Sequence, residues 1–176
     1  MISKEIVTQT WQRMARTPTS EASMLIETLK QEQPVILGYL MSLENLPFNQ
    51  HEREIIFYIG VVVWQIMRES NYSSEQITFE QFRMVEDANY NFLEMLASDT
   101  EADFVSAVQS MLETYPEPEV LAYIIEAIME DDNPDDPPIR DEYRGLAFIE
   151  LKIVLDALLN KPDWPDRSDA SPQFYE

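Results

Sequence analysis

The stretch IIFYIGVVVWQIM, Ile55 to Met67, decides how the chain is read. It carries no charge and a single amide, Gln65. A bilayer needs roughly 18 to 20 such residues in one helix, so the run is too short to span and predicts a helix buried in a protein core. Asn49 and Glu52 stand three apart just ahead of it, the pattern of a capping box. Together they set a fourth helix at about 50–69.

Outward from that helix the punctuation is helical throughout. Ile6, Val7, Trp11 and Met14 recur at helical spacing and predict an amphipathic helix over 2–16. Thr17-Pro18-Thr19-Ser20 breaks it, with Thr19 or Ser20 placed to cap a second helix to about Gln31. The apolar stripe of that helix is Ala22, Leu25, Ile26 and Leu29. Pro34 suits the first turn of a third helix, Val35 to about Glu44, where the N–H that proline lacks has no intrahelical partner. Thr78-x-x-Gln81 is a second capping box, with Ile77 placed to staple onto Phe82, and it opens a fifth helix to about Ala97. A sixth covers about 101–113, Pro118 opens a seventh to about Glu130, and an eighth runs over about 139–160. Residues 161–176 hold three prolines and no periodic pattern, so an extended or disordered tail is expected. No segment alternates β-branched residues between hairpin turns. The expected fold is all-α, a single domain over 1–160 of about eight antiparallel helices.

Composition narrows the function. Of 176 residues, 45% are hydrophobic and 26% charged, which suits one globular domain with a sizeable core. Only 3 are glycine, too few for a protein built on hairpins or a phosphate-cradling loop. With 33 acidic against 12 basic side chains the formal charge is -21, which repels nucleic acid and anionic membranes and favours a basic protein partner. Cysteine is absent, which excludes disulfides, thiolate zinc and a thiol nucleophile, and suits a cytoplasmic protein. The opening MISKEIVTQTWQRMART lacks the apolar centre of a signal peptide. Nine methionines and the apolar fourth helix leave self-association as a homo-oligomer open.

Two segments echo each other. QPVILGYLM, from Gln33, aligns with EPEVLAYII, from Glu117, pairing Pro34 with Pro118, Leu37 with Leu121 and Tyr39 with Tyr123 at an offset of 84. Beyond them Arg53 meets Arg144, Phe57 meets Phe148 and Val63 meets Val154, now at 91. The change of offset places a seven-residue insertion in the second copy, at MEDDNPDDPP. The echo divides the chain into four-helix halves, 1–72 and 73–160, or arises because amphipathic helices resemble one another. The pattern is loosely similar to HEAT-type helical repeats, which would imply stacked helix pairs. No repeat of about 40 residues runs through the chain.

Candidate chemistry is sparse. Asp131, Asp132 and Asp135, with Asp136 beside them, have the form of a magnesium-binding aspartate motif. Such a motif needs a helical face, and Pro134, Pro137 and Pro138 oppose one at about 3 kcal/mol for an interior proline. Read as an EF-hand from Asp131, the segment has Glu142 in place but lacks the glycine at position six. It reads better as an acidic interaction loop. His51, the only histidine, falls in the first turn of the fourth helix and is expected in solvent. Glu126, Glu130 and Asp131 are the remaining carboxylates that could hold magnesium. Tyr39, Tyr123, Arg53 and Arg144, matched between the halves, are candidates to line a groove. Trp164, Phe174 and Tyr175 are apolar anchors in the acidic tail, a pattern of short binding peptides.

The expected function is therefore non-catalytic: a protein–protein interaction module with no cofactor. Two alternatives are a small all-α hydrolase using carboxylate-bound magnesium and an acidic inhibitor that mimics nucleic acid.

Overall fold

A stretch of helix buried on every face must be surrounded, and the described residues hold two such stretches. A computed structural model describes residues 1–72, 75–97, 109–130 and 138–159. Among them are eight helices and no strand. They are α1 (Lys4–Ala15), α2 (Thr19–Glu32), α3 (Pro34–Met41, then a 3₁₀ turn, Leu43–Asn45), α4 (Gln50–Glu69), α5 (Phe79–Ala97), α6 (109–114), α7 (Pro118–Met129) and α8 (Asp141–Leu159), and the expected start of the sixth helix near 101 lies outside the described residues. In α4 every residue from Ile59 to Met67 is buried, and in α8 every residue from Glu150 to Leu158. These two runs lie 91 residues apart and pack on each other at the centre of one domain. α1 packs on α4 and α7, α5 on α8, α3 on α4, and α7 on both central helices. At Gly60 a Cβ would lie 2.6 Å from a terminal methyl of the buried Leu40 side chain of α3, so Leu40 would have to shift to admit one.

The expected boundaries hold where a specific side chain sets them. The Asn49–Glu52 capping box forms with both bonds in place and starts α4. Thr78 and Gln81 exchange the same pair of bonds at α5, and Ile77 and Phe82 are both buried there. Pro34 and Pro118 each stand in the first turn of their helix. Three details differ. α2 starts at Thr19, with extended Pro18 in the cap position, so Thr19 and Ser20 are already helical and neither caps. α3 stops at Met41, because Ser42 donates to the Tyr39 carbonyl and the chain tightens into the 3₁₀ turn. In α1 the buried face is Val7, Thr10 and Met14, while Ile6 and Trp11 stay exposed beside it.

The echo of α3 and α7 extends to geometry. The residue before each proline takes the same uncommon conformation, φ -138 and ψ 66 at Gln33 against φ -127 and ψ 72 at Glu117. Arg53 donates to the carbonyl of Phe48, five residues back, at 2.9 Å, and Arg144 donates to that of Ile139, also five back, at 3.2 Å. The structure adds a further likeness, between α1 and α5. Ile2, Val7, Thr10 and Met14 are buried, and so are Ile77, Phe82, Val85 and Asn89, each 75 residues on.

Two side chains tie these elements crosswise. The Gln33 amide accepts from the Ile77 N–H at 3.1 Å and donates to the Glu75 carbonyl at 2.9 Å, fixing the entry to α5. Buried Glu117 accepts from the Ile2 N–H at 2.5 Å, fixing the entry to α1, and from the Tyr72 hydroxyl. The residue that opens α3 thus holds the start of α5, and the residue that opens α7 holds the start of α1. Without its carboxylate the Ile2 N–H is left unpaired in the interior. Glu117→Ala is expected to cost about 1–3 kcal/mol in urea unfolding, and Glu117→Gln, which keeps an acceptor, distinctly less.

Candidate functional site

The aspartate segment Asp131, Asp132, Asp135 and Asp136 lies outside the described residues, as do Trp164, Phe174 and Tyr175. Its downstream anchor is described. Ile139 is fully buried, and Arg140 grips Glu52 by two side-chain bonds of 2.8 Å and its own N–H at 3.0 Å. A third guanidinium contact, 3.1 Å, reaches the Pro47 carbonyl, and the guanidinium stacks on Tyr143. The segment is therefore tied down immediately beyond its end, at the start of α4. Glu126 and Glu130 are exposed, as is His51. Among the described residues no three Asp, Glu or His side chains converge on a point that could hold a metal ion.

The four matched groove candidates occupy separate environments. Tyr39 packs on Phe82 of α5 and donates to Glu150 of α8. Tyr123 faces Tyr58 of α4 and Glu130, and burial raises its hydroxyl well above the usual tyrosine range. Arg53 lines a shallow depression with Leu40, Glu44 and Phe57 that Tyr39, Tyr123 and Arg144 do not share. Arg144 holds Asp141 at 3.1 Å besides the Ile139 carbonyl.

Two buried polar clusters escape a reading by pattern. In the first, Glu150 accepts from the hydroxyls of Tyr39 and Tyr90 and has no cationic partner among the described residues. Burial, with Glu86 nearby, raises its carboxyl above the ordinary value although both hydroxyls pull it down. In the second, Lys152 and Asp156 are each 1% exposed and 2.5 Å apart. Asn89 bonds both, at 3.1 and 2.8 Å, and Tyr115 donates to Asp156. The signal was present in IELKIVLDALL, where charges interrupt an otherwise apolar run and Lys152 and Asp156 stand four apart. Both clusters lie in the interior, and their geometry is that of packing.

The open feature is a seam between α2 and α4. At one end Met14, Ala15, Thr17, Ala22, Leu25, Ile26, Phe57, Tyr58 and Val61 wall an apolar groove of about 460 Å³. At the other end Glu32, Gln33, Trp64, Met67, Arg68, Asn71, Tyr72 and Leu158 line a second depression of about 400 Å³. Phe57, Val61, Trp64 and Arg68 are spaced 4, 3 and 4 residues apart, so one face of α4 floors both. Comparison of the chain with protein-family models, with curated proteins and with solved structures gives no match. The seam is therefore weighed on its own geometry.

The carboxylates make opposite contributions to stability with pH. Arg140 hydrogen bonds hold Glu52 down at about 2, against an ordinary 4.5. Burial pushes Glu69 up, but Arg13 and Gln65 outweigh it and lower the group. Their stabilisation is complete above the unfolded value and disappears as the pH falls through the folded one. Glu150, being raised, stabilises below its unfolded value and loses that as the pH rises. Glu52→Gln is expected to cost about 1–3 kcal/mol at neutral pH and to flatten the acid limb below 4.5, while Glu150→Gln flattens the decline above it. Urea midpoints across pH 2 to 8 check both.

Proposed function

We propose that the chain is a non-catalytic interaction module whose receptor surface is the apolar end of the α2–α4 seam. The reading takes 1–72 and 73–160 as two copies of one four-helix unit, on the strength of the buried positions, cap dihedrals and Arg–carbonyl bonds they share. One observation carries it. Where α5 presents Tyr90, α1 has Ala15, 75 residues earlier, and where α5 continues to bury Phe92, the first half turns away at Thr17-Pro18. Ala15 and Thr17 wall the groove. The first half thus lacks the aromatic side chains that its counterpart carries, and the space is apolar and open.

A groove of this kind takes an apolar or aromatic anchor from a protein segment, with the surrounding surface supplying selectivity. The -21 charge adds long-range attraction toward a basic partner, which raises the association rate more than the final affinity. The acidic segment at 131–136 is the second place where such a partner would engage, and Arg140 anchors the chain just beyond it.

Capture from the source-cell lysate with three baits tests the reading. The baits are the wild type, Ile26→Glu, and the chain with Asp131, Asp132, Asp135 and Asp136 changed to Asn. A glutamate in the groove leaves an unpaired charge against an apolar anchor. Recovery of a specific partner is expected to fall at least about tenfold with Ile26→Glu, equivalent to roughly 1.4 kcal/mol. The Asn variant is expected to slow capture at low salt. A partner held equally by Ile26→Glu, with circular dichroism unchanged, rules the groove out.

A further inference from the structure

The apolar groove has an acidic neighbour. Phe57 walls both the groove and a depression of about 300 Å³, whose other α4 residues are Gln50, Arg53 and Glu54 and whose opposite wall includes Met41 and Glu44. Gln50, Arg53, Glu54, Phe57, Tyr58 and Val61 follow one another at spacings of 3, 1, 3, 1 and 3. One face of α4 therefore floors the depression and the groove in turn. That floor is apolar at Phe57, Tyr58 and Val61 and carries charge toward the start of the helix. Glu44 and Glu54 are exposed, and neither makes an ion pair among the described residues. Glu54 accepts from the Gln50 amide at 2.9 Å, and Arg53 donates to the Phe48 carbonyl.

We propose that the partner of this face is a basic, amphipathic protein segment that binds at two points. An apolar or aromatic side chain seats in the groove walled by Ala15, Leu25, Ile26, Tyr58 and Val61, and a lysine or arginine of the same segment lies between Glu44 and Glu54. The inference rests on the reading of that groove as the receptor surface and adds the residue pattern of the partner.

Continuity, charge and spacing support it. The -21 charge draws any basic protein, whereas two carboxylates at a fixed place beside an apolar groove select one arrangement of cation and anchor. A cation seated there forms charge-assisted hydrogen bonds to both. Its aliphatic stem has apolar surface to lie on, because Met41 is exposed and Phe57 is half-buried. Glu54 stands four residues before Tyr58 and seven before Val61, about 6 and 10 Å at 1.5 Å each. A helical partner spans that interval with its cation about 4–7 residues from its anchor, an extended one with about 2–3. On the two-copy reading the pairing belongs to the first half alone. Gly145 stands at the position matched to Glu54, and buried Lys152 at that matched to Val61, each 91 residues on.

A random dodecapeptide library displayed on phage, selected against the full chain at physiological salt, tests this. Parallel selections use the wild type, Ile26→Glu, and the double variant Glu44→Lys with Glu54→Lys, whose two positions are exposed. Circular dichroism checks that each is folded, and Ala22→Trp, which fills the groove, replaces Ile26→Glu if that variant unfolds. Peptides that bind the wild type and not Ile26→Glu are expected to carry Lys or Arg at one fixed separation from an apolar anchor, enriched at least about fivefold over their other positions. On the double-lysine chain that same position is expected to turn to Asp or Glu. Basic residues spread evenly along the groove-dependent peptides, or kept at that position by the double-lysine chain, overturn the proposal and leave the groove reading standing. Recovery of no peptide that depends on Ile26 overturns both. A dimer in sedimentation that Ile26→Glu dissociates also overturns the proposal, because it places a second copy in the groove.

Discussion

All-round burial of α4 from Ile59 to Met67 and of α8 from Glu150 to Leu158 is the constraint from which the rest of the structure follows. An amphipathic helix needs a neighbour on one side, but a helix buried on every face needs neighbours on all of them. The outer helices meet that need by surrounding the central pair, which accounts for the crosswise ties. Gln33 and Glu117 each sit where an outer helix begins, and each holds the chain just ahead of another outer helix. Chain ends that would otherwise leave buried N–H groups unpaired are closed this way, at a sequence distance of 44 residues in one case and 115 in the other. Glu117 also draws in the Tyr72 hydroxyl, whose ionisation that bond pushes up to about 12.

α8 shows what such burial demands of charge. Three ionisable residues lie in its buried run, and the only cation among them is Lys152. The carboxylates are satisfied mostly by neutral donors: Tyr39 and Tyr90 on Glu150, Asn89 and Tyr115 on Asp156. A tyrosine brings a hydroxyl without a second desolvated charge, and its ring fills volume at the same time. Burial and the adjoining carboxylate raise Tyr39 and Tyr90 far beyond the usual range, so both remain donors at any physiological pH. Removing one member strands the others, which makes the clusters costly to disturb.

Local chemistry was legible in the sequence, and distant pairing was not. Asn49–Glu52, Thr78–Gln81 and the two prolines act within a few residues, so their spacing carries the whole signal. The apolar run at Ile55 announced a buried helix by length alone. By contrast, Glu52 looked complete as a capping residue, and nothing nearby marks Arg140, 88 residues on, as its partner. Thr19 looked like a cap because hydroxyls favour that position, but Pro18 already supplies the extended backbone there. Tyr39 and Tyr123 were paired by the echo, yet one donates to a buried carboxylate, whereas burial itself is the main influence on the other. Likeness of sequence located equivalent positions without revealing their neighbours.

That difference is where function is best sought. If 1–72 and 73–160 are copies of one unit, as proposed, they must share the residues that build the core, and those matched are Leu37 and Leu121, Val63 and Val154, and the arginines on the preceding carbonyls. Residues that differ at matched positions are released from that common requirement. In the second half they close the interior, with Asn89, Tyr90 and Lys152 knitting α5 to α8. In the first half the same positions are Met14, Ala15 and Val61, which are small or apolar, and all three wall the open groove. Burying another ring there would contribute roughly 1.5–3 kcal/mol. On the proposed reading, the unfilled groove is where a partner's apolar or aromatic side chain would seat.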